Sequence, residues 1–360
     1  MARVAVAMSG GVDSAVAAAL LVEAGHDVVG FTMNLWPSWV PETDGGAGCC
    51  GVGAIDDARG AARVLGVPHY VLNLRDAFER EVIGYFVGEY ARGRTPNPCI
   101  ACNRAIKFRL LLERVRGLGM EELATGHYAR VDRAPDGRYR LLRAADPRKD
   151  QSYVLAGLTQ AQLAQVRFPV GGYTKPQIRE LARRHGLGVA NKPDSQEICF
   201  VPRGDYSEVV ARHAPAATQP GPIYDQAGRR VGEHRGLARY TVGQRRGLGL
   251  ATAEPRYVVT IDAARNALIV GDEAALRCAE VYATKLNWVA IPALTEPRQV
   301  SARIRHASAD IPAAIAPTAH GRVRVRFAEP PRAAAPGQAI VFYDGDVVIG
   351  GGVIDGSNPG

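Results

Sequence analysis

Three of the chain's six cysteines, Cys99, Cys102 and Cys199, lie in polar, motif-like stretches. Cys49 and Cys50 sit in a glycine-rich segment, and Cys278 precedes a strand-like run. Cys99-Ile-Ala-Cys102 falls within "RTPNPCIACNRAIKF", behind two prolines and ahead of an apolar, basic run. That spacing suits half of a zinc site, a redox disulfide, a metal-cluster anchor or a home for a nucleophile, and the residues alone leave all four open. Cys102 directly precedes a helical pattern, a position at which the helix dipole and Arg104 or Lys107 favour the thiolate. Cys199 lies far along the chain in "KPDSQEICFVPRGDY", so any pairing of the two thiols has to be made by the fold.

A second constellation stands near the N-terminus. "AMSGGVDSAVAAALL" runs a hydrophobic strand straight into Ser9-Gly10-Gly11-Val12-Asp13-Ser14 and then into a helix. Two adjacent glycines let backbone N–H groups close on an anion, and the helix N-terminus adds unpaired donors and a partial positive charge. Ser9 and Ser14 can donate hydroxyls to phosphate oxygens, and Asp13 can hold Mg2+ or cap the helix. The Gly-Lys-Ser/Thr ending of a Walker loop is missing, and so is the dinucleotide fingerprint. The stretch resembles instead the pyrophosphatase loop of enzymes that cleave ATP to AMP and pyrophosphate and so adenylate a substrate.

The elements that must position these groups alternate over the first two hundred residues. "RVAVAM" (3–8), "DVVGFTM" (27–33), "HYVLNL" (69–74) and "ELATGHYARV" (122–131) read as strands. Residues 15–25, 55–66, 76–92 and 104–118 read as helices. Such alternation predicts an α/β unit, a Rossmann-like parallel sheet with helices on both faces, whose ligands bind at the carboxyl ends of strands. Both "SGGVDS" and "TGH" fall at such ends. After about residue 205 helical periodicity gives way to short β-like runs, among them "RYVVTID", "ALIVGD", "VSARIRH" and "RVRVRF". "FYDGDVVIGG" predicts a hairpin turning at Asp344-Gly345. The expected division is a loop-bearing catalytic domain over 1–205, a small central module over 206–277 that is Gly- and Arg-rich between 221 and 250, and a C-terminal antiparallel β-barrel or sandwich over 278–360. The tail "GSNPG" is expected to fray.

Composition excludes some classes. A 47% hydrophobic and 22% charged chain is that of a globular protein, and no run approaches the eighteen or so apolar residues of a membrane span. The apolar run at the N-terminus is too short for a secretory leader, which predicts a cytoplasmic protein whose thiols are reduced. The net charge of +8 suggests a polyanionic partner. Against that, the chain is rich in Ala, Gly and Arg, and only five of its 44 basic residues are lysine: Lys107, Lys149, Lys175, Lys192 and Lys285. The positive excess is also shared between the two halves.

Read in order, "MSGGVDSAV", "GRTPNPCIACNRAIKF", "ATGHYAR", "KDQSYVL", "FPVGGYTKPQIRELA", "KPDSQEICF", "TVGQRRGLG" and "VFYDGDVVIGGGVI" resemble the tRNA-specific 2-thiouridylases. The likeness runs from residue 4 to about 354. It implies an enzyme that uses ATP to adenylate the C2 oxygen of the wobble uridine in tRNA-Lys, tRNA-Glu and tRNA-Gln, then replaces that oxygen with sulfur supplied by a sulfur-carrier protein or cysteine desulfurase. By the same resemblance Ala7, Met8, Ser9, Gly10, Gly11, Val12, Asp13 and Ser14 bind ATP with Mg2+, and Met33 and Gly126 contact the nucleotide. Cys199 matches the persulfide carrier and Cys102 its nucleophilic partner, with a Cys102–Cys199 disulfide or free sulfide at the end of the cycle. Asn97-Pro98-Cys99 matches the segment that cradles the target base. His127, Lys149, Asp150, Gln151, Arg305, His306 and Gln338 match tRNA-contacting positions.

One departure stands out. Some members carry an acidic residue, suited to acid–base work, where this chain has Cys99. Three thiolates, Cys99, Cys102 and Cys199, can hold a 4Fe-4S cluster with one open iron, so persulfide and cluster chemistry both stay open. Adjacent Cys49 and Cys50 make poor tetrahedral zinc partners and read as loop residues. Cys278 reads as a core residue and His69 as structural. The "GQRRGLG" loop reads as an RNA phosphate contact over a solvated turn. Two rival readings remain: a loop-bearing ligase or amidotransferase acting on a small carboxylate, which needs no thiols, and a tRNA-binding protein without chemistry.

Overall fold

A computed structural model of the chain describes residues 1–37, 39, 52–194, 198–201 and 205–356. Cys49 and Cys50, Ser195 to Glu197 of the Cys199 motif, and all of the expected tail except Gly356 lie outside the described residues. The chain divides into two compact units. One comprises Met1–Val82, Cys99–Gly204 and Asp346–Val348; the other comprises Ile83–Pro98, Asp205–Gly345 and Ile349–Gly360.

The first unit is built on β1 (Arg3–Ala7), β2 (Asp27–Asn34), β3 (His69–Asn73), β4 (Glu122–Thr125), a hairpin of β5 (Arg130–Arg133) and β6 (Tyr139–Leu142), and β7 (Val166–Arg167). Five of these strands form a parallel sheet in the order β3-β2-β1-β4-β7. Val4 to Val6 are fully buried, as a strand covered on both faces requires. Helix α1 (Val12–Glu23) is alanine-rich and packs Val12, Ala15, Val16 and Ala18 into a core shared with Val4, Val6, Ile178 and Ala182. A second helix, α2 (Val52–Leu65), contributes Ala58, Ala61 and Ala62 to the same core. Chain order runs outward from β1 in both directions, to β2 on one side and to β4 on the other. The crevice outside the carboxyl ends of β1 and β4 is therefore the topological switch point, where ligands of such sheets bind.

Two expectations shift within this unit. The stretch 122–131 is two strands rather than one, because the chain turns through Gly126-His127-Tyr128. The helix expected from 104 starts earlier, at Pro98, and continues through Pro98–Cys102, a wide-turn segment Asn103–Leu111, and Leu112–Gly117. Proline at a first helical position costs no hydrogen bond, which is why the helix can open there.

In the second unit, β8 (Gly221–Asp225), β9 (Arg230–His234), β10 (Tyr257–Asp262) and β11 (Ala267–Gly271) form a sheet ordered β10-β11-β8-β9. Its core is Ile223, Leu237, Tyr240, Leu248, Val258, Leu268 and Val270. Then β12 (Glu280–Trp288), β13 (Arg298–Arg303), β14 (Ile311–Pro317), β15 (Val323–Phe327), β16 (Ala339–Asp344) and β17 (Val347–Gly356) run in the order β12-β15-β14-β13-β16-β17. β17 pairs back on β12, so the six strands close into an antiparallel barrel. In β15 the alternation is plain: Val323, Val325 and Phe327 are buried, Arg324 and Arg326 exposed. The hairpin expected near Asp344 is present, with Asp344 ending β16 and Gly345 taking φ +56° in the turn. A helix at Tyr206–His213, capped by Asp205, was not legible; eight residues carry too little periodicity to show.

Candidate nucleotide and thiol site

At the end of β1 the backbone is held on both sides. Met8 N–H donates to the Phe31 carbonyl at 2.8 Å, and Thr32 Oγ1 donates to the Met8 carbonyl at 2.7 Å. The loop is then stitched by Ser14, whose hydroxyl accepts from Ser9 N–H at 3.1 Å and donates to the Gly11 carbonyl at 3.0 Å. Gly10 takes φ +68°, and a Cβ there would stand 2.2 Å from the carbonyl oxygen of Ala54 in α2. Only glycine fits. Gly11 caps α1 with no side-chain hydrogen bond, so the first N–H groups of the helix have no side-chain cap competing with an anion. Gly126 packs directly on this start, since a Cβ on it would lie 2.6 Å from Ser14 N. The two strand-end motifs thus meet at the switch point. Met33, near the end of β2, is half-buried.

Around the loop stands a network that the sequence analysis did not single out. Lys175 Nζ donates to both Asp13 oxygens at 2.7 and 2.9 Å and pairs with Asp194 at 2.7 Å. Lys149 Nζ reaches Asp194 at 2.7 Å. The Tyr128 hydroxyl donates to Asp13 at 2.6 Å. Lys192 Nζ donates to the Gly10 carbonyl at 3.0 Å and pairs with Asp57 of α2. Lys175 opens the helix Lys175–Arg184 behind a Thr174–Gln177 capping box, and its backbone N–H donates to Asp146 at 3.0 Å. Burial works against the Asp194 carboxylate, yet hydrogen bonds from Lys149 and Lys175 outweigh it and hold its pKa below the usual 3.8. Burial, then the Asp13 charge, pushes the Tyr128 phenol far up, so it remains a donor. Three of the chain's five lysines belong to this network, and in so arginine-biased a chain that rarity was a signal.

Asp13, expected to hold Mg2+ or cap α1, meets Lys175 and Tyr128, and Ser14 bonds within the loop. His69 is structural as expected, its Nε2 2.8 Å from Thr32 Oγ1.

The thiols are placed differently. Cys99 lies in the first turn of the helix that opens at Pro98 and is exposed; Cys102, at the end of that segment, is half-buried. Cys102 is therefore inside a helix and not ahead of one, and the dipole argument made for it does not hold. Cys199 is half-buried, and its neighbour Phe200 packs edge-on against Phe78 at 5.7 Å. Among the described residues no three of His, Cys, Asp and Glu stand close enough together to hold a metal ion. Cys278 is half-buried; its thiol donates to the Glu280 carbonyl at 2.9 Å, and burial raises its pKa.

The expected tRNA-contacting positions divide into interior and surface. His127 is 8% exposed, lies near the Phe108 and Phe168 rings, and stands 2.7 Å from Thr125 Oγ1. Burial, then the nearby Lys107 charge, takes its pKa well below 6.5. Asp150 is 5% exposed and accepts from Ala144 N–H, Ser152 N–H and the Ser152 hydroxyl. Both side chains are buried and hydrogen-bonded within the unit. Gln151 Oε1 accepts from Tyr128 N–H at 2.9 Å. In the second unit Asn97 is half-buried and Pro98 buried, Arg305 and His306 are exposed, and Gln338 Nε2 donates to the Thr95 carbonyl at 2.9 Å.

Among the described residues no helix is long and apolar enough to cross a membrane. Family models match along the chain: a tRNA methyl transferase HUP domain over residues 2–203, a tRNA methyl transferase PRC-barrel domain over 207–272 and an aminomethyltransferase β-barrel domain over 278–354. The tRNA-specific 2-thiouridylase MnmA of Moorella thermoacetica is 53% identical over 352 residues, covering 97% of this chain and 98% of that protein. The proteins of the same name from Heliobacterium modesticaldum and Geobacter metallireducens are 53% and 51% identical, each across 98% of this chain and 92% and 96% of their own. The chain belongs to the tRNA-specific 2-thiouridylase family.

Proposed function

We propose that this protein is an ATP-dependent tRNA sulfurtransferase that adenylates C2 of the wobble uridine and exchanges its oxygen for sulfur, giving 2-thiouridine. The observation that carries the reading is the preformed loop from Ser9 to Ser14, locked by Ser14 and by Gly10 against α2, at the switch point of the sheet. Ala7 to Ser14 cradle the phosphates of ATP, with Met33 and Gly126 beside the nucleotide. Mg2+ needs only one or two carboxylates together with substrate phosphates, and Asp13 suits that role once Lys175 turns to the nucleotide.

The amide-like C2 oxygen is a poor leaving group. Attack by that oxygen on the α-phosphate expels pyrophosphate and turns it into a good one. The outer sulfur of a Cys199 persulfide then attacks C2, the C2–O bond breaks, and AMP leaves. Cys102 thiolate attacks Cys199 Sγ in the resulting C2–S–S–Cys199 linkage. The S–S bond breaks, the electron pair stays on the thiouridine sulfur, and a Cys102–Cys199 disulfide remains for a thiol reductant to reopen. In the alternative route Cys102 releases sulfide from the persulfide, and that sulfide attacks C2. A second reading keeps the cluster route open: Cys99, Cys102 and Cys199 would hold a 4Fe-4S cluster whose open iron would take up sulfide for transfer to C2.

Asn97-Pro98-Cys99 receive the flipped base, and His127, Lys149, Asp150, Gln151, Arg305, His306 and Gln338 belong to positions along the RNA, His127 and Asp150 from beneath the surface. The expected substrates are tRNA-Lys, tRNA-Glu and tRNA-Gln in the cytoplasm, with sulfur delivered by a carrier protein or cysteine desulfurase. Residues 1–205 form the catalytic domain, 206–277 the central tRNA-binding module and 278–360 the barrel. Cys102→Ser and Cys199→Ser are each expected to abolish 2-thiouridine formation while leaving thermal unfolding and tRNA-dependent pyrophosphate release in place. Thiolation near the wild-type level in either variant overturns the assigned pair.

A further inference from the structure

The loop Gly243-Gln244-Arg245-Arg246-Gly247-Leu248-Gly249 takes no part in the chemistry above, yet its backbone is closely constrained. Gly243, Gly247 and Gly249 take φ of +92°, +78° and +68°, values that L side chains rarely adopt. Gly243 N–H donates to the Val258 carbonyl at 2.8 Å, and Val258 N–H returns to the Gln244 carbonyl at 2.9 Å. The Gln244 side chain spans the turn, accepting from Thr241 N–H at 3.1 Å and donating to the Arg246 carbonyl at 3.0 Å. Leu248 anchors the far side in the core with Tyr240 and Val258.

On this frame Arg245 and Arg246 are exposed, and neither guanidinium has a partner among the described residues. Their neighbours differ. Arg229 pairs with Asp225 at 2.8 Å, Arg230 with Glu233 at 2.8 Å and Arg239 with Asp205 at 3.5 Å. The loop is also joined to a second cationic segment. Gly243 abuts Ala333, whose side chain a Cβ on Gly243 would approach to 2.6 Å. The Ala333 and Arg332 carbonyls in turn accept from the guanidinium of exposed Arg305. Ala333 therefore ties the loop to Arg305.

We infer that the Gly243–Gly249 turn is an RNA-phosphate clamp, in which Arg245 and Arg246, on a backbone fixed before binding, engage the sugar-phosphate backbone of the tRNA beside Arg305. The inference rests on the tRNA reading above and adds residues which that reading does not assign. A rigid turn matters because less side-chain and loop ordering then opposes association, and two phosphate contacts carry affinity without sequence choice.

The test is tRNA affinity as a function of salt, measured by filter binding with the full-length protein and an unmodified tRNA-Lys transcript. Each lost phosphate contact lowers the slope of log K against log salt by about 0.7–0.9. Arg245→Gln with Arg246→Gln is expected to weaken binding roughly tenfold at low salt and to reduce that slope by roughly 1–2. Arg245→Lys with Arg246→Lys retains most of the slope. Arg229→Gln with Arg230→Gln, which removes the same charge from paired arginines, changes it little. Equal loss in both glutamine doubles reduces the effect to net charge and overturns the clamp, as does an unchanged slope in the loop double. A wild-type protein that binds no tRNA overturns the functional reading itself.

Discussion

Two cationic regions of this molecule handle their charge in opposite ways. Around the nucleotide loop, Lys149, Lys175 and Lys192 each meet a carboxylate, and Lys175 stands between Asp13 and Asp194. In the Gly243–Gly249 turn, Arg245 and Arg246 meet none among the described residues. The first arrangement fixes a backbone and holds its cations in place until a stronger anion arrives. The second fixes the backbone by glycine φ values and a glutamine brace, leaving its cations for a ligand. Burial decides between them: an unpaired ammonium at the largely buried Lys175 is costly, whereas an exposed guanidinium remains solvated.

That contrast is breakable. The largest effect is expected at Lys175, where Lys175→Ala leaves Asp13 and Asp194 facing each other across a partly buried gap. Loss of that partner, with Tyr128 and Lys149 still on the two carboxylates, costs about 1–3 kcal/mol, read as a lower denaturant midpoint, together with loss of ATP-dependent activity. Lys175→Arg restores most of the stability. If Lys175→Ala unfolds at the wild-type midpoint, the lysine network is not what holds the loop. Removing two positive charges at Arg245 and Arg246 is expected to leave the same midpoint within about 0.5 kcal/mol.

A smaller effect concerns pH. The pKa of His127 is depressed in the folded protein, so the unfolded chain takes up a proton first as pH falls below 6.5. The stability is fully present above that value and is lost progressively below it, toward the lower folded pKa. His69 and His234 are depressed by burial in the same sense. Thermal midpoints are expected to fall between pH 7 and pH 5, and less steeply in His127→Gln. An equal slope in that variant removes His127 as a source.

Much of this was legible in the sequence. β-Branched runs alternating with alanine-rich helical stretches gave the parallel sheet, and Gly10-Gly11 after "RVAVAM" gave the loop. The lysine network was not, because ion pairs between residues as distant as Asp13 and Lys175 leave no periodic trace. Only the scarcity of lysine hinted at it. The buried hydrogen bonds of His127 and Asp150 were hidden too, since a resemblance to tRNA-contacting positions says nothing of what a side chain bonds inside the unit. The Cys102 environment was misread through a helix boundary, the feature that a proline-led start makes hardest to place.

The central claim is ATP-dependent sulfur transfer to a wobble uridine, and it is met most directly by incubating the protein with ATP, Mg2+, an unmodified tRNA-Lys transcript and a persulfide source, cysteine with a cysteine desulfurase and a sulfur carrier. Nucleoside mass spectrometry then reads the product, with AMP and pyrophosphate quantified alongside. The account predicts 2-thiouridine at the wobble position, with one AMP and one pyrophosphate for each sulfur incorporated. Folded protein that releases AMP and pyrophosphate without thiolated tRNA under these conditions, or thiolates without ATP, contradicts it.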